Sequence, residues 1–409
     1  MKIIKTRIKT FIKDKKYFFL FFLFLIIYNF VVTGSFSFKE VDDITYTYHT
    51  VDYSMGFCTK FLPGALYGLL IKNYSQTAIS IYAWVLLCIF FALIAFMLQE
   101  FVLSFDRNQR KSAIVTSMLF LTGPCTFSIF VTELGMLDFY WILISAIILL
   151  LIKSKKAAFL AVPMFFGLIL VHFSSILSYI PFCLLIILYE AASSNKKSEK
   201  VYYSCIFTFS LLLSLAATLY FAKNERSNLT YSMEEFNKIL SNRGSDYFFY
   251  YDYVLYRSTE GTSAATAIAE NANASFAGVV LQQLKVNFQL IEITLYEISA
   301  AIIILPIVIL SAVYFIYNAK KTPKNKFRHF ITLCMFLMFF VTIGGGCLFS
   351  TDVLRWMSHA YIALFASFIY VLYKENGSSF LSIVYSKIPY SYAIFFIVLS
   401  SVSIFTIYD

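Results

Sequence analysis

Three residues late in the chain have the types and spacing of a reacting cluster. Asp352, Arg355 and His359 lie three and four residues apart, offsets that place them on one face of a helix. A carboxylate or imidazole there could take the proton of an attacking hydroxyl, and a guanidinium could neutralise a departing diphosphate. Asp42 and Asp43, between Glu40 and the pair His49 and Asp52, are catalytic candidates on the same reasoning. Glu133, Asp138 and His172 stand at the edges of apolar runs, where ionisable groups are expensive and so mark function. Glu133 and His172 are taken as substrate-binding candidates. Each has a plainer reading as well. Loop acids are commonly just solvated, an Asp352–Arg355 pair would be worth little, and a lone His in an apolar helix can simply bond a backbone carbonyl.

A second group lies between Lys223 and Glu297. Ser232 followed by Glu235 forms a capping box, and Met233, Phe236, Ile239 and Leu240 repeat at helical spacing, which predicts a short amphipathic helix lying on the membrane. Next comes an aromatic cluster, Tyr247, Phe248, Phe249, Tyr250, Tyr251, Tyr253 and Tyr256, flanked by Asp246, Asp252 and Arg257. Tyrosines collect at bilayer interfaces whatever the function, but their faces also stack on sugar rings. On the second reading Tyr250 and Tyr253 bind substrate rings, and Arg243 and Arg257 bind diphosphate or sugar. No Gly-rich phosphate loop, metal-ligand spacing or cofactor motif is present, so no cofactor and no metal is expected, and an energy-rich substrate must arrive already activated.

The elements that position these residues follow from composition. The chain is 60% hydrophobic and only 14% charged, too apolar to cover a soluble surface. Runs of ~20 apolar residues recur along it, the length that crosses a hydrocarbon core, and they are continuous rather than alternating, which excludes a β-barrel. The expected fold is all-α: a polytopic transmembrane bundle with spans near 17–33, 77–98, 114–132, 136–152, 157–171, 176–190, 202–222, 297–317, 330–350, 356–373 and 389–407. Membrane helices then occupy 1–222, with a first outer loop at 34–76. A large outer loop follows at 223–296, and further membrane helices at 297–409. The apolar stretch from Ala157 to Leu188 is read as two short helices, because lysine clusters flank both ends.

The net charge of +10 sits mainly in short clusters between spans. That is a topology signal rather than a nucleic-acid surface. With these clusters inside, 23 of the 33 basic residues face the cytoplasm, the N-terminus is cytoplasmic and the C-terminus outside. The seven basic residues before Tyr17, with the apolar run after them, resemble a signal peptide, but no small-residue cleavage site follows. They are read as leading a retained first helix. Seven scattered cysteines without a Cys-x-x-Cys pair imply neither a disulfide framework nor a zinc site.

The whole-chain pattern resembles bacterial surface-polysaccharide polymerases of the Wzy type: many spans, one large outer loop late in the chain, and richness in Phe, Ile, Tyr and Lys. Some of those enzymes carry an Arg with a Gly eleven residues later in outer loops; no Arg here has that partner, although Arg226, Arg243, Arg257 and Arg355 are all expected outside. A second similarity is to multispan glycosyltransferases that use polyprenyl-phosphate sugars and often carry an acid in the first outer loop, where Glu40, Asp42 and Asp43 stand. Both resemblances imply attack of an acceptor hydroxyl on a lipid-linked sugar. The first implies an undecaprenyl-diphosphate-linked glycan as substrate, a chain-length regulator as protein partner, and residence in the bacterial inner membrane for O-antigen or capsule synthesis. A flippase or transporter for the same lipid-linked glycan, and a non-catalytic envelope-assembly partner, remain open. Transport would use the possible helix breaks at Gly123–Pro124, Pro163, Pro181, Pro306 and Gly344–Gly346.

Overall fold

A computed structural model describes residues 15–32, 39–123, 126, 134–224, 228, 230–245, 295–321, 325–349, 353–375 and 377–405. Among the described residues there is no strand, and the fold is an all-helical membrane bundle. Its helices are α1 (Lys16–Val32), α2 (Asp43–Thr50), α3 (Leu62–Leu70), α4 (Gln76–Leu103), α5 (Arg110–Leu121), α6 (Leu137–Lys153), α7 (Ala161–Val171) and α8 (Tyr179–Ser193). There follow α9 (Lys197–Asn224), α10 (Met233–Asn242), α11 (Leu295–Lys321), α12 (Lys326–Phe349), α13 (Val353–Lys374), α14 (Ser378–Lys387) and α15 (Tyr390–Phe405).

Five of these, α4, α9, α11, α12 and α13, are long and apolar enough to cross a membrane. The α14–α15 pair, bent by 90°, makes a sixth. The expectation of ten or eleven full spans is thus not matched helix for helix. The reason is length: α6, α7 and α8 have 17, 11 and 15 residues, against the ~20 that a bilayer core demands. These helices are largely buried among their neighbours along their length, so protein rather than lipid surrounds most of each one and its length need not match the bilayer. The stretch expected as two short helices is two, α7 and α8, joined through His172 and a tight 3-10 turn at Phe173–Leu177.

Of the candidate breaks, Pro306 lies inside a continuous α11 and Gly344–Gly346 inside a continuous α12. Gly346 presses so closely on the indole of Trp356 that a Cβ would overlap it. The glycine therefore serves close packing of α12 on α13. That packing suits α13, the most buried of the long helices, whose Phe365 stacks on Phe120 of α5 at 3.7 Å.

The first loop folds into α2 and α3. Asp42 caps α2, its carboxylate accepting from the Thr45 N–H at 2.6 Å, and Pro63 occupies the first turn of α3, where its missing N–H costs nothing. Gly64 lies against the Val51 carbonyl with no space for a side chain. The capping box expected at Ser232 and Glu235 starts α10. Its apolar stripe does not lie on a membrane surface, however. Phe236 and Leu240 are buried against Val51, Met55, Cys58 and Phe61, because the first loop offers apolar area close at hand and burial there removes the same surface from water.

The two ends of the bundle differ in charge. One end carries the pairs Lys153–Glu100 (3.3 Å), Lys155–Glu199 (3.0 Å), Arg328–Glu375 (2.9 Å) and Lys374–Glu190 (2.7 Å). Glu190 is almost wholly buried and also accepts from the Tyr370 hydroxyl at 2.7 Å. Lys374→Ala leaves that carboxylate buried without its cation and is expected to cost about 2–3 kcal/mol, allowing for the Tyr370 bond and for water near Lys374. Lys153→Ala breaks a pair in which both side chains are more than a third exposed and should cost under ~1 kcal/mol. Thermal unfolding of both variants in one detergent checks this; equal losses would mean that water reaches Glu190.

Candidate functional site

At the opposite end, three helix N-termini converge on one carboxylate. Asp138 is the second residue of α6, Tyr179 the first of α8, and Arg355 the third of α13 with His359 one turn on. Arg355 Nε donates to Asp138 Oδ2, and His359 Nε2 stands 3.4 Å from Asp138 Oδ1. His359 Nδ1 shares a 3.0 Å hydrogen bond with the Tyr179 hydroxyl. A carboxylate only accepts, so the imidazole proton belongs on Nε2 and Tyr179 donates to Nδ1. Asp138 and His359 are 3% and 2% exposed, whereas the Arg355 side chain is 28% exposed. Arg355 is thus the member that a substrate can reach.

The electrostatics favour an anion. A helix N-terminus carries about half a positive charge, which suits Asp138 on α6 but opposes a cation at the start of α13. Asp138 offsets Arg355, and the first turns of α6 and α13 place partial positive charge beside the pair. His359 Nε2 and Asp138 Oδ1 are both buried and face each other at 3.4 Å, so the imidazole lies against the carboxylate oxygen that Arg355 Nε does not use. Rings enclose the imidazole: Trp141 at 5.4 Å, Tyr179 at 5.4 Å and Trp356 at 5.8 Å. The Trp141 indole is fixed by donating to the Leu168 carbonyl at 3.2 Å.

The first loop reaches this cluster through His49. Its Nδ1 donates to the Thr45 carbonyl at 2.8 Å, and its Nε2 accepts from Tyr140, two residues along α6 from Asp138, at 2.8 Å. Gly135, at φ +83°, makes the approach possible; a Cβ there would meet the Thr45 methyl at 2.9 Å and Ala83 at 3.1 Å. Positive φ excludes most other residues on backbone grounds alone.

Of the residues expected from the sequence, Arg355 and His359 are brought together, with Asp138 as the partner that unites them. Asp42 and Asp43 are exposed at the start of α2, Asp42 also serving as its cap. His172 closes α7: its Nδ1 accepts from the Ser174 N–H at 3.1 Å, and its ring meets the edge of Trp141 at 5.8 Å. Arg243 pairs with Asp52 at 2.8 Å, donates to the Thr50 carbonyl, and lies 4.9 Å over the Tyr74 ring, while its own carbonyl accepts from Tyr46 at 2.8 Å. It therefore straps α10 to the first loop rather than meeting Arg355. Asp352, Glu133, Tyr250, Tyr253 and Arg257 lie outside the described residues. Among those described, no group of three or more His, Cys, Asp and Glu has the geometry to hold a metal ion.

Sequence reasoning marked Asp138 and His49 as ionisable groups near the bilayer without giving either a role, and it passed over Tyr179. An acid opening an otherwise apolar 17-residue helix was the signal for the first; the partners of the other two are distant in sequence and leave none. Comparison with protein-family models, curated proteins and solved structures finds no match to this chain.

Burial pulls the His49 imidazole down to about 4 against a smaller upward pull from the Thr45 carbonyl. Above about pH 6.5 the ring is neutral in both folded and unfolded chains. As pH falls from ~6.5 to ~4 the unfolded chain binds the proton first, and stability is expected to drop by about 3 kcal/mol. Unfolding midpoints at about pH 7.5 and about pH 5, compared between wild type and His49→Gln, test this; the variant should lose less on acidification.

Proposed function

We propose that the chain is a glycosyltransferase acting on sugars carried by a polyprenyl diphosphate, and specifically a repeat-unit polymerase for O-antigen or capsule at the outer face of a bacterial cytoplasmic membrane. The observation that carries the reading is Arg355, part-exposed and locked by buried Asp138 where three helix N-termini meet. A guanidinium held by a carboxylate on one edge can bind phosphate oxygens on another. Positive helix ends strengthen that preference. The end bearing the lysine and arginine clusters is the cytoplasmic one by the positive-inside rule, which puts Arg355 outside and the N-terminus inside.

In the reaction, the hydroxyl of an acceptor glycan attacks the anomeric carbon of the lipid-linked donor. The bond from that carbon to the diphosphate oxygen breaks, Arg355 takes up the charge on the departing diphosphate, and Asp42 or Asp43 takes the hydroxyl proton. Asp138 and His359 are positioning residues: Asp138 holds the guanidinium, His359 faces the second oxygen of Asp138, and Tyr179 holds the imidazole. A flippase would need polar groups along its path through the bilayer, whereas the ionisable groups described here gather at the two ends.

Deleting the gene is expected to leave single repeat units on the lipid anchor, with long chains restored by wild type but not by Arg355→Ala at equal membrane abundance. With purified protein, Arg355→Ala should slow transfer by about 10²–10³-fold. Arg355→Lys should recover little, because a lysine lacks the fork that bridges carboxylate and phosphate. Full-length polysaccharide in the deleted strain would sink the polymerase reading; loss of even the single-unit glycan would point to a flippase or an earlier transferase.

A further inference from the structure

The first loop holds a cleft that the Arg355 cluster does not use. It opens between the turn at Asp52–Ser54, the face of α3 that presents Ala65, Gly68 and Leu69, and the ring of Tyr74, as a surface cleft of about 340 Å³. That lies at the lower end of the ~300–1,000 Å³ usual for small-molecule sites. Its polar wall is built rather than incidental. Asp52 Oδ1 accepts from the Ser54 N–H at 2.8 Å and the Ser54 hydroxyl at 2.5 Å, and Oδ2 accepts from Arg243 at 2.8 Å. Burial acts to raise the Asp52 carboxyl, but the Ser54 bonds and Arg243 outweigh it, so the group stays below its ordinary value. Arg243 also covers one face of the Tyr74 ring, fixing the aromatic wall.

We propose that this cleft is a glycan subsite that takes a short run of neutral sugar rings from the acceptor chain, with sugar C–H faces against Tyr74 and Leu69 and hydroxyls on Asp52 and Ser54. The inference rests on the transferase reading for the identity of its ligand class. Three features select a neutral sugar. The Asp52 charge is already balanced by Arg243, so a charged ligand gains little. An aromatic wall beside a part-buried carboxylate, its side chain 19% exposed, matches the two-faced character of a pyranose, apolar on one side and hydroxylated around its rim. The open cleft has room for one or two sugar rings.

Gly68 is where the cleft can be closed. A Cβ there would already sit 3.2 Å from the Tyr74 hydroxyl, so Gly68→Trp fills the space, while Tyr74→Ala removes the wall without adding bulk. The experiment is saturation-transfer NMR on the full chain in nanodiscs, with lactose, maltose, cellobiose and diacetylchitobiose as probes and choline as a cationic control. The expected result is transfer to at least one disaccharide in wild type and Arg355→Ala, and at least ~10-fold weaker transfer in Gly68→Trp and Tyr74→Ala, a loss that corresponds to one decade of affinity. Should Gly68→Trp fail to fold, Tyr74→Ala and Asp52→Asn decide. Undiminished sugar binding in the cleft variants, binding of choline alone, or no binding by wild type would each overturn the subsite. The transferase reading would survive those results, because the glycan ladder of the deleted strain tests it separately; conversely, cleft-dependent sugar binding in a protein without transfer activity would keep the subsite and remove the enzyme.

Discussion

A carboxylate taken out of water must be paired, and that constraint organises one end of this bundle. Asp138 is 3% exposed, and leaving such a group unpaired would cost several kcal/mol. Arg355 answers the charge, His359 approaches the second oxygen, and Tyr179 orients His359. Through these contacts α6, α8 and α13 are brought to a common point. The N-terminal ends of the short helices α6 and α8 are met in the same way by protein groups, so those ends need no bilayer interface to satisfy them.

Much of the fold was legible because apolar runs of membrane length have few alternatives in lipid. The division of the Ala157–Leu188 stretch and the start of α10 were also legible, the latter from the capping box at Ser232 and Glu235. What the α10 stripe packs against was not, since Phe236 would be as content on a membrane as on Phe61. Among the described residues, fewer helices than expected have full span length where a helix is apolar but short, because hydropathy alone does not distinguish lipid from protein as the burying medium.

The candidate site was legible in part, and the division is physical. Arg355 and His359 share a helix face, a relation that spacing reports directly. Asp138 is separated from Arg355 by 217 residues, and His49 from Tyr140 by 91; no local pattern encodes such pairs. Asp42 was visible as an acid, and the Thr45 N–H it accepts from shows that the same side chain also starts α2. Arg243 was visible as a cation in a late loop, but its partners come from the first loop, almost two hundred residues away, and no local pattern reports them.

The 217 residues between Asp138 and Arg355 also have a meaning in time. At ~5–20 residues per second of synthesis, the acid leaves the ribosome roughly 10–40 s before its arginine does. Throughout that interval α6 holds a carboxyl group with no cation to meet it, so the helix has reason to linger beside the insertion machinery, or to carry its proton, until α13 arrives. Final assembly of this end therefore waits on α13, and a nascent chain cut short before Val353 would be an unfinished bundle with an uncompensated acid at one end, a natural mark for the quality-control proteases of a membrane.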